Sequence, residues 1–213
     1  MSLGVTVLLW TFWPVISFMV FTDPLLSKII SPIAAESGFS PVVLANTGKP
    51  SSDDASTNAN TWFPAKPQEK VVTQVNAYTL SIPKLNIKDA TVIIAGDDLK
   101  KSLIHYGGTG LPGRYGTTVI FGHSTLPQLY NPKNYETIFS TLPSLKPGDE
   151  IFVKYDGVDY RYIIYDMVIT DPTDLSVLEQ SFDDSYITLI TCVPPGTTWK
   201  RLNVKARLMR LTT

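Results

Sequence analysis

Two runs near the C-terminus restrict the fold more than any other part of the chain. Along 186–208, YITLITCVPPGTTWKRLNVKARL, Ile187, Leu189 and Thr191 alternate with Thr188, Ile190 and Cys192. After a Pro-Pro-Gly turn, Leu202, Val204, Ala206 and Leu208 alternate with Arg201, Asn203, Lys205 and Arg207. A period of two is that of a half-buried strand. The connection 193–200 is short, which makes antiparallel neighbours the economical arrangement. If Leu202 and Val204 pack on the core beside Leu189 and Ile187, parity sends Cys192 and Arg201 together to the opposite face. A thiol and a guanidinium then meet at one end of a sheet.

Cys192 is the only cysteine among 213 residues, so it has no partner for an internal disulfide. In an exported protein such a thiol needs a reason, and the N-terminus bears on export. Residues 3–22, LGVTVLLWTFWPVISFMVFT, carry no charge, and at 1.5 Å per residue they suffice to cross a hydrocarbon core of about 30 Å. A transmembrane anchor over 1–22 is expected. A cleaved signal peptide ending near Ala34 and Ala35 is the rival, although its charged n-region is missing. Residues 23–74 are rich in Ser, Pro, Asn, Thr and Ala without periodicity, as in a flexible stalk. Within it, Trp62 and Phe63 either dock on the head or stay exposed. The head itself is expected over 75–213. A net charge of −1 with no basic run gives no reason to expect nucleic acid as a partner.

Within the head, AYTLSIPKLNIKDATVII reads as two strands around Ile82-Pro83, and TTVIFGH as a buried strand ending at His123. Residues 131–145 place Tyr135, Ile138, Phe139 and Leu142 at helical spacing, a short helix or two turns. Residues 150–170 form a hairpin with Asp156-Gly157 as its type I′ turn. Asp174 caps a turn or two at LSVLEQ. Many short strands with few helices suggest an antiparallel barrel.

Only two histidines could activate the thiol, His105 and His123. His105 falls in a glycine-rich loop, whereas His123 ends a strand, a rigid support for a side chain that must act as acid and base. Two histidines and one cysteine at these separations match no zinc spacing, so no metal is expected. No acidic cluster suggests a calcium site. Arg201 beside Cys192 is a candidate donor to an oxyanion or a substrate carbonyl.

TLITC ending at Cys192, Arg201 nine positions later and the upstream Gly-His at His123 together resemble the sortase family of membrane-anchored cysteine transpeptidases. SIPKLNI, HYGGTGLPGRYGTTVIFGHS, LPSLKPGDEI and DPTDLSVLEQSFDDSYITLITC extend the similarity over about 75–211. The resemblance implies an eight-stranded antiparallel β-barrel with a few short helices. It implies cleavage of an LPXTG-like sorting signal on secreted proteins, without a cofactor, and transfer to an amine of a cell-wall precursor or a pilin lysine. Cys192 would be the nucleophile, His123 the general acid/base and Arg201 the oxyanion stabiliser, with His105 outside the triad. Thr191 would line the site, and Leu175, Val177 and Leu178 would supply apolar contacts for the signal. The catalytic domain would face outward from a single-pass anchor in the cell membrane of a Gram-positive-type bacterium. The short gap from Cys192 to Arg201 is nearer to classes C, D and E than to class A. No Asp-Pro-aromatic lid motif precedes the head, and Trp62-Phe63-Pro64 is only distantly like one. Wall anchoring is therefore favoured over pilus polymerisation. A catalytically idle, membrane-tethered barrel that binds peptide or wall polymer is the alternative from another class. A hydrolytic cysteine peptidase would share the same thioester step.

Overall fold

A computed structural model describes residues 57–69 and 73–209 of the chain. The expected anchor, 1–22, and most of the expected stalk lie outside the described residues. Among the described residues no helix is long and apolar enough to cross a membrane.

Eight strands close into a barrel: β1 (Ala77–Ile82), β2 (Ile87–Ile94), β3 (Leu103–His105), β4 (Gly116–Phe121), β5 (Glu150–Tyr155), β6 (Val158–Thr170), β7 (Ser185–Val193) and β8 (Lys200–Leu208). Around the barrel they run β1-β2-β3-β4-β7-β8-β6-β5. The expectation of a wholly antiparallel barrel is corrected on one point. β2 pairs with β3, and β4 with β7, in parallel, so the sheet is mixed. Alternation reveals that a segment is a strand but carries no information about the direction of its neighbour. The crossover from β4 to β7 takes in the whole β5–β6 hairpin, a pairing too remote in sequence to be read from turns. It has a consequence for chemistry, because parallel strands bring their C-terminal ends to the same rim.

Local chemistry explains most of the elements. Asp156 and Gly157 both have positive φ, 51° and 75°, as a type I′ turn requires, and they set the β5–β6 register at Tyr155 opposite Val158. Asp174 accepts a hydrogen bond from the Ser176 backbone N–H at 2.9 Å and starts the 3-10 helix Leu175–Leu178. The helical spacing in 131–145 is realised as successive turns ending in the 3-10 helix Leu142–Ser144. There Thr137 Oγ1 accepts from the Asn131 N–H and donates to the Asn131 carbonyl, a local alternative to helical bonding.

Two apolar layers flank the strands that matter. Inside the barrel, Leu103, Ile120, Ile187, Leu189, Leu202 and Val204 pack with the inner residues of β1, β2, β5 and β6. A second cluster lies on the outer face of β3, β4 and β7, where Ile104, Val119, Phe121, Ile190 and Cys192 meet Leu99, Tyr106 and the Leu175–Leu178 turn. Ala59, Trp62 and Phe63 complete it. β4 is therefore buried at every position, which explains its uninterrupted apolar run. Within the segment read as stalk, residues 57–69 pack on the barrel as a strap. One end is held by Ala59 N–H to the Asp97 carbonyl at 2.8 Å and Leu99 N–H to the Thr57 carbonyl at 2.9 Å. The other is held by Gln68, which donates to the Gly96 carbonyl at 2.8 Å and accepts from the Gly107 N–H at 2.9 Å.

Candidate active site

β7 and β8 pair with Cys192 directly opposite Arg201, and both residues point to the outer face as their parity requires. Arg201 Nη1 donates to Cys192 Sγ at 3.3 Å and to the Thr198 carbonyl at 3.3 Å. Its Nε is buried and has no hydrogen-bond partner among the described residues. On the other flank, β4 runs parallel to β7 with Phe121 opposite Ile190. Carried two residues further, that register sets His123 beside Cys192. The three residues expected to be catalytic thus lie at one rim of the barrel, Cys192 on β7, Arg201 on β8 and His123 two residues past the end of β4.

The backbone around His123 is tied down residue by residue. The Gly122 N–H donates to the Ile190 carbonyl at 3.1 Å, Thr191 Oγ1 donates to the Gly122 carbonyl at 2.9 Å, and Ser124 Oγ donates to the Cys192 carbonyl at 2.8 Å. The Phe139 N–H adds a bond to the His123 carbonyl at 3.1 Å. The side chain of Thr191, expected to line the site, is fully buried and fastens the histidine-bearing segment to β7. Ser124 shares that work and was not singled out from sequence, although it directly follows the Gly-His pair. His123 Nδ1 is buried without a partner among the described residues, which leaves the ring available to a group that enters the site.

Val177 and Leu178 are buried in the cluster that contains Cys192, and Leu175 packs partly against it. His105 lies elsewhere. It points into the barrel, wholly buried, with Nδ1 at 3.0 Å from Tyr78 Oη.

The sequence leaves open whether Trp62 docks on the head. It docks on the site. Its ring stacks on Phe121 at 5.1 Å between centroids and lies over the Arg201 guanidinium at 4.6 Å. Phe63 packs beside it against Phe121 and Tyr106. Under this cover Cys192 is 2% exposed and Arg201 6%.

Burial sets the protonation states in the covered site. It pushes the Cys192 thiol above its usual value, against the opposing charge and hydrogen bond of Arg201. It pushes the His123 imidazole down, with Glu136 opposing and Lys100 reinforcing the shift. Both groups are held towards their neutral forms. The arrangement can supply a proton carrier, a nucleophile and an oxyanion donor in that lateral order, which suits acyl transfer through a thioester.

The sortase domain family model matches residues 80–209, which include all three of these side chains. Sortase D of Bacillus subtilis strain 168 is 24% identical over 148 residues, 70% of this chain and 66% of that protein. A Clostridium perfringens sortase D5 transpeptidase has a similar structure, with a TM-score of 0.54 and 26% identity over 66% of this chain and 83% of that one. A lid mutant of sortase A from Corynebacterium diphtheriae superposes with a TM-score of 0.56 and 28% identity, over 66% of this chain and 74% of that one. The barrel is the one these proteins share, and the matched span carries the Cys192–Arg201 pair and the strand leading to His123. The chain belongs to the sortase family of transpeptidases.

Proposed function

We propose that this chain is a membrane-tethered, extracytoplasmic enzyme that cleaves an LPXTG-like sorting signal between threonine and glycine. It then transfers the threonyl group to an amine of a cell-wall precursor or a pilin lysine. The observation that supports this best is the lateral ladder of His123, Cys192 and Arg201, with Arg201 Nη1 at 3.3 Å from Sγ and its Nε unengaged.

The Cys192 thiolate attacks the threonine carbonyl, forming a C–S bond and a tetrahedral oxyanion. Arg201 sits on the nucleophile's flank with donors to spare for that oxygen. As the C–N bond breaks, the His123 imidazolium gives its proton to the departing glycine amine, leaving a thioester. The acceptor amine then loses a proton to neutral His123 and displaces Cys192. Water in place of the amine would give hydrolysis.

Thiolate and imidazolium together hold as many protons as thiol and imidazole, so the two pairs are in internal equilibrium. At ordinary values of 6.5 for the imidazole and 9.0 for the thiol, the charged pair would amount to about 0.3% of the neutral one. Burial shifts both groups so as to lower that fraction further. Substrate entry requires Trp62 to leave Arg201, and this also readmits solvent to the charged pair. The strap is clamped at Asp97–Leu99 and at Gln68, so the Trp62-Phe63 turn between the clamps is the part that has to swing.

Turnover of a fluorogenic LPXTG-like peptide by the full chain, with and without oligoglycine or a lysine-bearing peptide, tests the reading. Amine-dependent ligation product is expected. Binding of the peptide without cleavage under any condition would replace the enzyme with a binding barrel.

A further inference from the structure

Beyond the Leu175–Leu178 turn, the outer face of β4, β7 and β8 opens into a cleft of about 570 Å³. Its charged lining consists of Lys205, Arg207 and an exposed Glu179. Arg207 is engaged, with Nε at 2.5 Å from Asp184 Oδ2. Lys205 is half-buried and makes no hydrogen bond or ion pair among the described residues. A half-shielded ammonium with no counter-ion is a group that gains when a carboxylate arrives. The Tyr165–Tyr186 pair, ring centroids 6.0 Å apart, walls the distant part of the cleft.

Strand register gives this lysine an address relative to the nucleophile. Cys192 is opposite Arg201, and Thr188 is opposite Lys205. Lys205 is thus abreast of a point four residues back along β7, about 13 Å from Cys192 at ~3.3 Å per residue. Cys192 is the penultimate residue of β7, so the sheet face extends from it in one direction only. Cleavage between threonine and glycine leaves four of the five residues of an LPXTG-like signal on the acyl side, and that side needs the long face. An extended peptide advances at about the strand's own rate. With the threonine carbonyl at Cys192, the leucine is three residues back and falls near Val177, which borders both the apolar cluster and the cleft. The residue four back, the one immediately before the signal, falls beside Lys205.

We propose that Lys205 is a specificity-determining residue that selects an acidic side chain immediately upstream of the sorting signal. This rests on the transpeptidase reading above and adds to it a requirement on the protein being sorted. The contact is made equally in ground and transition states, so it acts on KM and leaves kcat alone.

The test compares kcat/KM of the full chain on three peptides that differ only in carrying Glu, Gln or Lys before the leucine. Glu is expected to exceed Gln by about two- to fivefold, the range of a partly exposed ion pair, and the preference should shrink as salt is raised. Lys205→Ala should level the three peptides, and Lys205→Glu should reverse their order. Equal rates on the wild-type chain, or a Glu preference that survives in Lys205→Ala, would overturn the assignment while leaving the transpeptidase reading intact. No turnover of any of the three would remove both.

Discussion

Replacing Trp62 with alanine is the perturbation whose size the structure defines most directly. The residue is 3% exposed and makes two directional contacts that the open strap must give up, the stack on Phe121 and the guanidinium contact with Arg201. An aromatic pair contributes about 0.5–1.5 kcal/mol beyond its buried area, and a desolvated cation–π contact about 1–2 kcal/mol. Together they bias the strap towards closure by about 1.5–3.5 kcal/mol, a factor of roughly 10 to 400. The readout is the pH-independent rate constant for alkylation of Cys192 by a small neutral reagent such as iodoacetamide. If reagent enters only through strap opening, Trp62→Ala should raise that constant by the same factor. The apparent pKa of Cys192 should fall as burial is relieved and the Arg201 charge remains. Trp62→Phe should be intermediate, since it keeps a ring over the guanidinium. Near-ultraviolet dichroism guards against a globally loosened barrel. Alkylation of a folded Trp62→Ala chain at the wild-type rate would refute the view that this ring closes the site.

The other predictions concern single groups. Arg201→Ala should lower kcat/KM for peptide cleavage by about 10²–10³-fold, as loss of one oxyanion donor does elsewhere, and Arg201→Lys should recover only part, because a point charge lacks the fork that reaches both thiol and oxyanion. Burial lowers His105 from 6.5 to about 4, so the unfolded chain binds this proton more readily than the folded one. Stability should therefore fall as pH drops from about 6.5 to about 4, by about 3 kcal/mol in urea titrations, and His105→Gln should flatten that part of the profile. Gly122→Ala would set a Cβ at 2.2 Å from Phe139 Cδ2, with Phe139 wholly buried. Thermal denaturation should show a loss of about 1–3 kcal/mol, and kcat should fall with it because His123 is the next residue.

The sequence exposed those parts of the site that depend on local rules. Strict alternation around the Pro-Pro-Gly turn was enough to pair Cys192 with Arg201 on one face, since period and a short connection determine both register and side. The Asp156-Gly157 turn and the Asp174 cap were visible for the same reason. The direction of β7 relative to β4 was not, because it depends on a crossover that encloses two other strands. That parallel pairing is nevertheless what brings His123 to the rim where Cys192 lies. Thr191 illustrates a different limit. Its place next to Cys192 suggested a part in the site, but alternation puts its hydroxyl on the other face, where the Gly122 carbonyl takes it. Trp62 and Phe63 sit among polar, low-complexity neighbours, and their burial follows from an apolar patch on the outside of β3, β4 and β7 that no single segment reveals.

The most direct test of the central claim is the mass of the intact full chain after incubation with an LPXTG-like peptide, using the Trp62→Ala variant alongside the wild type. A thioester adduct equal to the acyl part of the peptide is predicted, localised to Cys192 by fragmentation, absent from Cys192→Ala, and discharged on adding oligoglycine or a lysine amine. An unmodified Cys192 in both proteins, across a library of sorting-signal peptides, would contradict it.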